Sequence, residues 1–169
     1  MEDLRVSVAE VLGRPGEYRD VEVSGRLGEA RTELATLVDE PIEARLRLES
    51  VVEGVLVTGT VEGGTQLTCA RCLKEIRSRA SVEVAELFAR PGSDVEDEAY
   101  PIQGVELDLT PMLRDALVLS LPLNPVCKTA CAGICPQCGG DLSEGDHVHD
   151  EGLDPRWAEL SMLRGKLDG

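Results

Sequence analysis

The chain reads as an α+β protein: an antiparallel, partly barrel-like sheet, one helix packed on it, and a cysteine-rich C-terminal segment. Three observations predict this. Apolar and polar residues alternate through much of the first ninety positions, an apolar helical face follows Pro111, and six cysteines fall in two clusters. The 169 residues, 42 % hydrophobic, suffice for one core. Aromatic residues make up only 2 % (Tyr18, Phe88, Tyr100, Trp157), so that core must be built from Val, Leu and Ala.

Leu4–Val8 alternates like an edge strand, and Ala9–Leu12 suits a helical turn before Gly13-Arg-Pro-Gly16. Tyr18–Leu27 predicts a second strand, while the mixed signal from Gly28 to Pro41 suits a short helix or loop at Arg31–Val38. Ile42–Glu49 alternates at period two and Gly54–Val61 follows after a turn, which predicts an antiparallel hairpin. Gly63-Gly64 reads as a turn into Gln66–Thr68. The next turn is Cys69-Ala-Arg-Cys72, leading into a strand over Ile76–Phe88. The first cysteine pair is therefore expected at a hairpin tip, where one tight turn presents both sulfurs.

Arg90–Gly104, with Pro91-Gly92 and the acidic run Asp94–Glu98, reads as a flexible, solvated surface loop. After Val105–Leu109, Thr110 is expected as the N-cap and Pro111 as the first residue of a helix. That helix ends at Leu121, before Pro122. Pro155–Leu163 suits a short terminal helix carrying Trp157, Leu160 and Leu163 on one face. A helix that short must dock on something to persist in water. The expected organisation is a β-rich core over 1–125, a cysteine-rich segment over 126–142 and an acidic tail over 143–169.

The second cluster comprises Cys127, Cys131, Cys135 and Cys138. Cys135-Pro-Gln-Cys138-Gly139 has the turn chemistry of a zinc knuckle: two thiolates on one turn, then a glycine that admits positive φ and lets backbone N–H groups face the sulfurs. Four such sulfurs make a closed tetrahedral site, which points to structural rather than catalytic Zn2+. Two ligand sets fit. Cys69 and Cys72 can join Cys135 and Cys138 as two knuckles, or Cys127, Cys131, Cys135 and Cys138 can close a local site. His147 and His149 read as solvated tail residues rather than ligands. Permanent disulfides are the weaker reading for a chain whose start, Met-Glu-Asp-Leu-Arg, lacks the basic flank and apolar stretch of a secretory signal. With no run of about 18 apolar residues, a cytoplasmic protein without a membrane association is expected.

The formal net charge of -15 disfavours broad coating of nucleic acid and favours basic protein partners. Against that background Arg71, Lys74, Arg77 and Arg79 face the single acid Glu75 between Gly63 and Val82. The patch reads first as a solvated strand face and second as an RNA-facing candidate. Catalytic residues are expected to be none. The chain lacks a phosphate-binding Gly-x4-Gly-Lys loop, a Gly-x-Ser-x-Gly elbow and a His-Glu-x2-His motif. A dithiol oxidoreductase using Cys69 and Cys72 is a competing account, but such a pair is expected at a helix N-terminus, and here strands flank it.

Glu49–Thr60, Cys69-Ala-Arg-Cys72-Leu, Leu109–Pro122 and Cys131-Ala-Gly-Ile-Cys135-Pro-Gln-Cys138-Gly together resemble the YceD family, named for large ribosomal RNA subunit accumulation. The resemblance covers roughly Leu34 to Leu142. It implies a non-enzymatic role in synthesis, processing or stability of large-subunit (23S) rRNA, in bacteria or plastids, and it brings no catalytic residues. The second cysteine cluster is present in some members of the family and absent from others, which suits metal as a local staple. Joined to the acidic charge, the resemblance implies a basic ribosomal protein or the pre-ribosomal large subunit as partner, with rRNA contact through the basic patch. A zinc-stabilised protein-binding adaptor with no ribosomal role is the alternative.

Overall fold

The computed structural model describes residues 4–143, 145, 148 and 149. Residues up to Cys131 form one compact unit and those from Ala132 onward a second. The terminal helix expected at Pro155–Leu163 and the acidic positions beyond Glu151 lie outside the described residues.

The first unit is an open antiparallel sheet, not a barrel. Its strands are β1 (Arg5–Ser7), β2 (Tyr18–Gly25), β3 (Ala30–Arg31), β4 (Ala35–Leu37), β5 (Ile42–Ser50), β6 (Gly54–Thr68), β7 (Glu75–Ala89), β8 (Tyr100–Pro101) and β9 (Glu106–Asp108). They are followed by helix α1 (Thr110–Leu119). Strand β6 is central. One edge pairs with β5 and, further along, with β4, while the other pairs with β7 over its whole length. β2 lies outside β5, β3 outside β4, and the short β8 runs parallel to the end of β7. β1 and β9 form a separate two-stranded sheet.

The period-two pattern of β5 places Ile42, Ala44, Leu46 and Leu48 inside and the intervening charges outside. Val55, Val57 and Val61 of β6 join them, and α1 closes the core with Met112, Leu113 and Leu117. Branched aliphatic side chains fill this core almost alone, with Phe88 the large aromatic within it.

Several local expectations change. Arg31–Val38 is neither helix nor loop: β3 and β4 form a small hairpin, because β4 completes the edge of β6 beyond the end of β5. Gly63-Gly64 does not turn the chain, and β6 runs straight through it. A Cβ at Gly63 would stand 3.1 Å from Leu117 Cδ1 and 3.2 Å from both Ile42 Cγ2 and Leu37 Cδ1, so glycine here makes room for the helix. The segment Arg90–Gly104 carries a 3-10 turn at Glu96–Glu98 and β8, where Tyr100 stacks on Phe88 with centroids 5.3 Å apart. Leu109, not Thr110, is the N-cap of α1, and the Asp108 carboxylate accepts the Thr110 N–H at 3.0 Å. Among the described residues no helix is long and apolar enough to cross a membrane.

Candidate metal centre

The long β6–β7 hairpin ends in Cys69–Lys74, so the first cysteine pair does sit at a hairpin tip. The tip is a knuckle: the Cys69 N–H donates to the Lys74 carbonyl (2.9 Å) and the Leu73 N–H to the Cys69 carbonyl (2.9 Å). Leu73 takes φ +60, the left-handed conformation that the residue after the second cysteine of a knuckle needs. The Arg71 N–H points at Cys69 Sγ (3.5 Å).

The strand of chain after α1 then docks on this tip. The Ala70 N–H donates to the Pro125 carbonyl at 2.8 Å, and the Cys127 N–H reaches Cys69 Sγ at 3.4 Å. Arg71 completes the join by donating from Nη1 to the carbonyls of Cys131 (3.0 Å) and Thr129 (3.4 Å). Four sulfurs are gathered as a result. Those of Cys69, Cys72, Cys127 and Cys131 all lie within 4.8 Å of one another, with Cys69 to Cys131 at 3.9 Å and Cys72 to Cys127 at 3.6 Å. Cys69 is fully buried, Cys72 and Cys131 are buried, and Cys127 is exposed.

Four thiols this close cannot all ionise by themselves. Backbone N–H groups, that of Cys72 foremost and those of Cys127 and Arg71 after burial is opposed, bring the Cys69 thiol down to about 6. Its neighbours move the other way. Cys72 is raised: the Lys74 N–H favours its thiolate, but burial and the Cys69 sulfur outweigh that. Cys127, facing the sulfurs of Cys131 and Cys72, is pushed up to about 12. A dication with affinity for thiolate removes the conflict, because each anion then meets positive charge instead of another anion. The donor set therefore fits a soft or borderline metal ion of the zinc kind.

The cysteines are brought together in neither of the two groupings expected from spacing. The first pair joins Cys127 and Cys131, while Cys135 and Cys138 group with His149. His149 is thus no solvated tail residue: its Nε2 stands 3.1 Å from Cys135 Sγ. His147 lies outside the described residues. The expected knuckle at Cys135–Gly139 forms, with Gly139 at φ +73 and the N–H groups of Gln137 and Gly140 aimed at the sulfurs of Cys135 and Cys138 (3.4 Å each). Spacing alone did not reveal the pairing because the β6–β7 hairpin brings together cysteines 55 and 62 positions apart. The signal available was the fit of Cys127-x3-Cys131 as a second half-site for Cys69-x2-Cys72.

The basic patch is placed unevenly. Arg71 holds the cysteine loop, Arg79 forms an ion pair with Glu62 at 3.6 Å, and exposed Arg77 lines a small cleft with Gln66 and Ser78. Lys74 is exposed at the tip.

An open sheet whose central hairpin ends in a four-cysteine cluster defines a small α+β protein with candidate metal centres. The chain belongs to the YceD family: the family model described as "Large ribosomal RNA subunit accumulation protein YceD" matches residues 57–164. An uncharacterized protein of Mycobacterium tuberculosis (strain ATCC 25618 / H37Rv) is 47% identical over 130 residues, covering 73% of this chain and 62% of the relative. One of Mycobacterium leprae (strain TN) is 39% identical over 129 residues, covering 73% and 59%. An Arabidopsis thaliana protein named "Large ribosomal RNA subunit accumulation protein YCED homolog 1, chloroplastic" is 31% identical over 80 residues, 44% of this chain and 24% of the relative. The chain thus spans about 60% of the length of the mycobacterial relatives it matches. No solved structure matches.

Proposed function

We propose that this protein is a non-enzymatic ribosome biogenesis factor that supports synthesis, processing or stability of large-subunit (23S) rRNA. The observation that carries the reading is membership of the YceD family across both the hairpin tip and the second cysteine cluster. Cys69, Cys72, Cys127 and Cys131 hold a structural zinc ion that fixes the chain after α1 to the β6–β7 hairpin. The closed, all-thiolate donor set supports this, since a catalytic zinc would keep a place for water.

The net charge of -15 favours a basic partner, a ribosomal protein or a protein surface of the pre-ribosomal large subunit. Of the four basic residues around the tip, Arg71 and Arg79 already hold protein groups, and the exposed Arg77 is the candidate for rRNA contact. One observation favours a dithiol oxidoreductase instead: the Cys69 thiol brought down to about 6. Its full burial opposes that account, because a substrate disulfide must reach the attacking sulfur.

The test is depletion of the protein in cells, with 23S rRNA and its precursors measured against 16S rRNA, and capture of bound protein and RNA from lysate at moderate salt. Reduced 23S and recovery of large-subunit precursors are expected. Unchanged rRNA with a non-ribosomal basic partner would replace this reading with the adaptor.

A further inference from the structure

The segment after Ala132 has its own arrangement of donors. Its knuckle is closed by backbone bonds from Cys135 N–H to the Gly140 carbonyl (2.7 Å) and from Gly139 N–H to the Cys135 carbonyl (2.8 Å). A bridge between Ile134 and Asp141, with the Leu142 N–H on the Gly133 carbonyl at 3.0 Å, brackets the turn. Both sulfurs face backbone N–H groups, which reward a thiolate far more than a thiol. The chain then returns to set His149 Nε2 3.1 Å from Cys135 Sγ, and the three donor atoms lie within 4.8 Å of one another.

Burial here is inverted relative to a hydrophobic mini-core. Ile134 and Leu142, the large aliphatic residues of Ala132–Ser143, are 37% and 39% exposed, while Cys135 is 5% exposed. What is turned inward is the Cys135 sulfur, with the half-buried His149 and the exposed Cys138 gathered round it. Segments too poor in apolar residues to fold by burial are held by disulfides, metals or partners. Among the described residues no disulfide joins Cys135 or Cys138 to another cysteine.

We propose that Cys135, Cys138 and His149 form a second metal centre, taking one divalent, borderline-soft cation of the zinc type, so that each chain carries two ions with different donor sets. Two thiolates and an imidazole suit such an ion, whereas magnesium or calcium would require oxygen donors. Binding releases the thiol protons and fixes the return of the chain onto the knuckle. The inference does not depend on a ribosomal role, and the count of two takes the other ion to be held by Cys69, Cys72, Cys127 and Cys131.

The experiment uses the full chain, reduced, stripped of metal and reloaded with Zn2+, with bound zinc counted per chain after removal of excess. Parent protein is expected to retain two ions, and Cys138→Ser and His149→Ala one each, with the sheet's circular dichroism unchanged. His149→Cys keeps a donor of the right class and is expected to restore two. Reloading with Co2+ gives an independent reading: the sulfur-to-cobalt charge-transfer band should be stronger in His149→Cys than in the parent. One ion in the parent and one in both loss variants would overturn the proposal. So would two ions in all of them, which would put the second ion elsewhere.

Discussion

Leu73 is the residue at which the first centre meets a backbone constraint. It occupies the left-handed region at φ +60 in the position that Gly139 fills in the other knuckle at φ +73. A non-glycine residue there costs about 1–2 kcal/mol. Leu73→Gly is therefore expected to raise the melting temperature of the metal-loaded protein or leave it unchanged, and Leu73→Val to lower it, since a branched Cβ fits this region worst. Tyr100 carries a second residue-scale prediction. Burial, and then its hydrogen bond to Asp115 Oδ2 at 2.9 Å, push its phenol up to about 12. The fold thus favours the neutral phenol. That preference stabilises fully below the unfolded value of about 10 and is lost as pH rises from there through about 12. Urea unfolding across this range should show a fall in stability that is shallower in Tyr100→Phe.

At the scale of elements, α1 sits on the sheet because β6 omits a side chain at Gly63. Gly63→Ala puts a methyl group between Leu117, Ile42 and Leu37, and is expected to cost roughly 1–3 kcal/mol by overpacking. Leu117→Ala should cost about 2–5 kcal/mol by leaving a cavity in the same place. Calorimetry of the double variant would show partial recovery if the two share that space. The same position shows what the sequence conveyed and what it concealed. The alternation of Ile42–Glu49 reported β5 directly, because one face is buried and the other wet. Gly63-Gly64 looked like a turn, since local chemistry does not distinguish a glycine needed for φ from one needed for a helix packed overhead. β3 and β4 were likewise hidden, being strands only through the free edge of β6.

For the whole molecule, the knuckle residues, the hairpin tip and the glycine after Cys138 were legible in the sequence, but the partition of the cysteines was not. It depends on a hairpin of two fifteen-residue strands carrying Cys69 and Cys72 to the chain that follows α1, and on the approach of His149 to Cys135. The openness of the sheet is also a long-range property: β2, β3 and β8 end where no further strand meets them among the described residues. If the four-cysteine centre is a structural staple, Cys72→Ser should release its ion and lower stability by several kcal/mol. Arg71→Ala should weaken metal retention without removing a ligand, by freeing the carbonyls of Thr129 and Cys131. Metal-release kinetics against a chelator distinguish the two.

The most direct test of the central claim is the ratio of mature 23S to 16S rRNA in cells depleted of this protein. The ratio is expected to fall, and to recover when the intact chain is supplied. A ratio that stays level through depletion would contradict a role in large-subunit rRNA accumulation, whatever metal the chain carries.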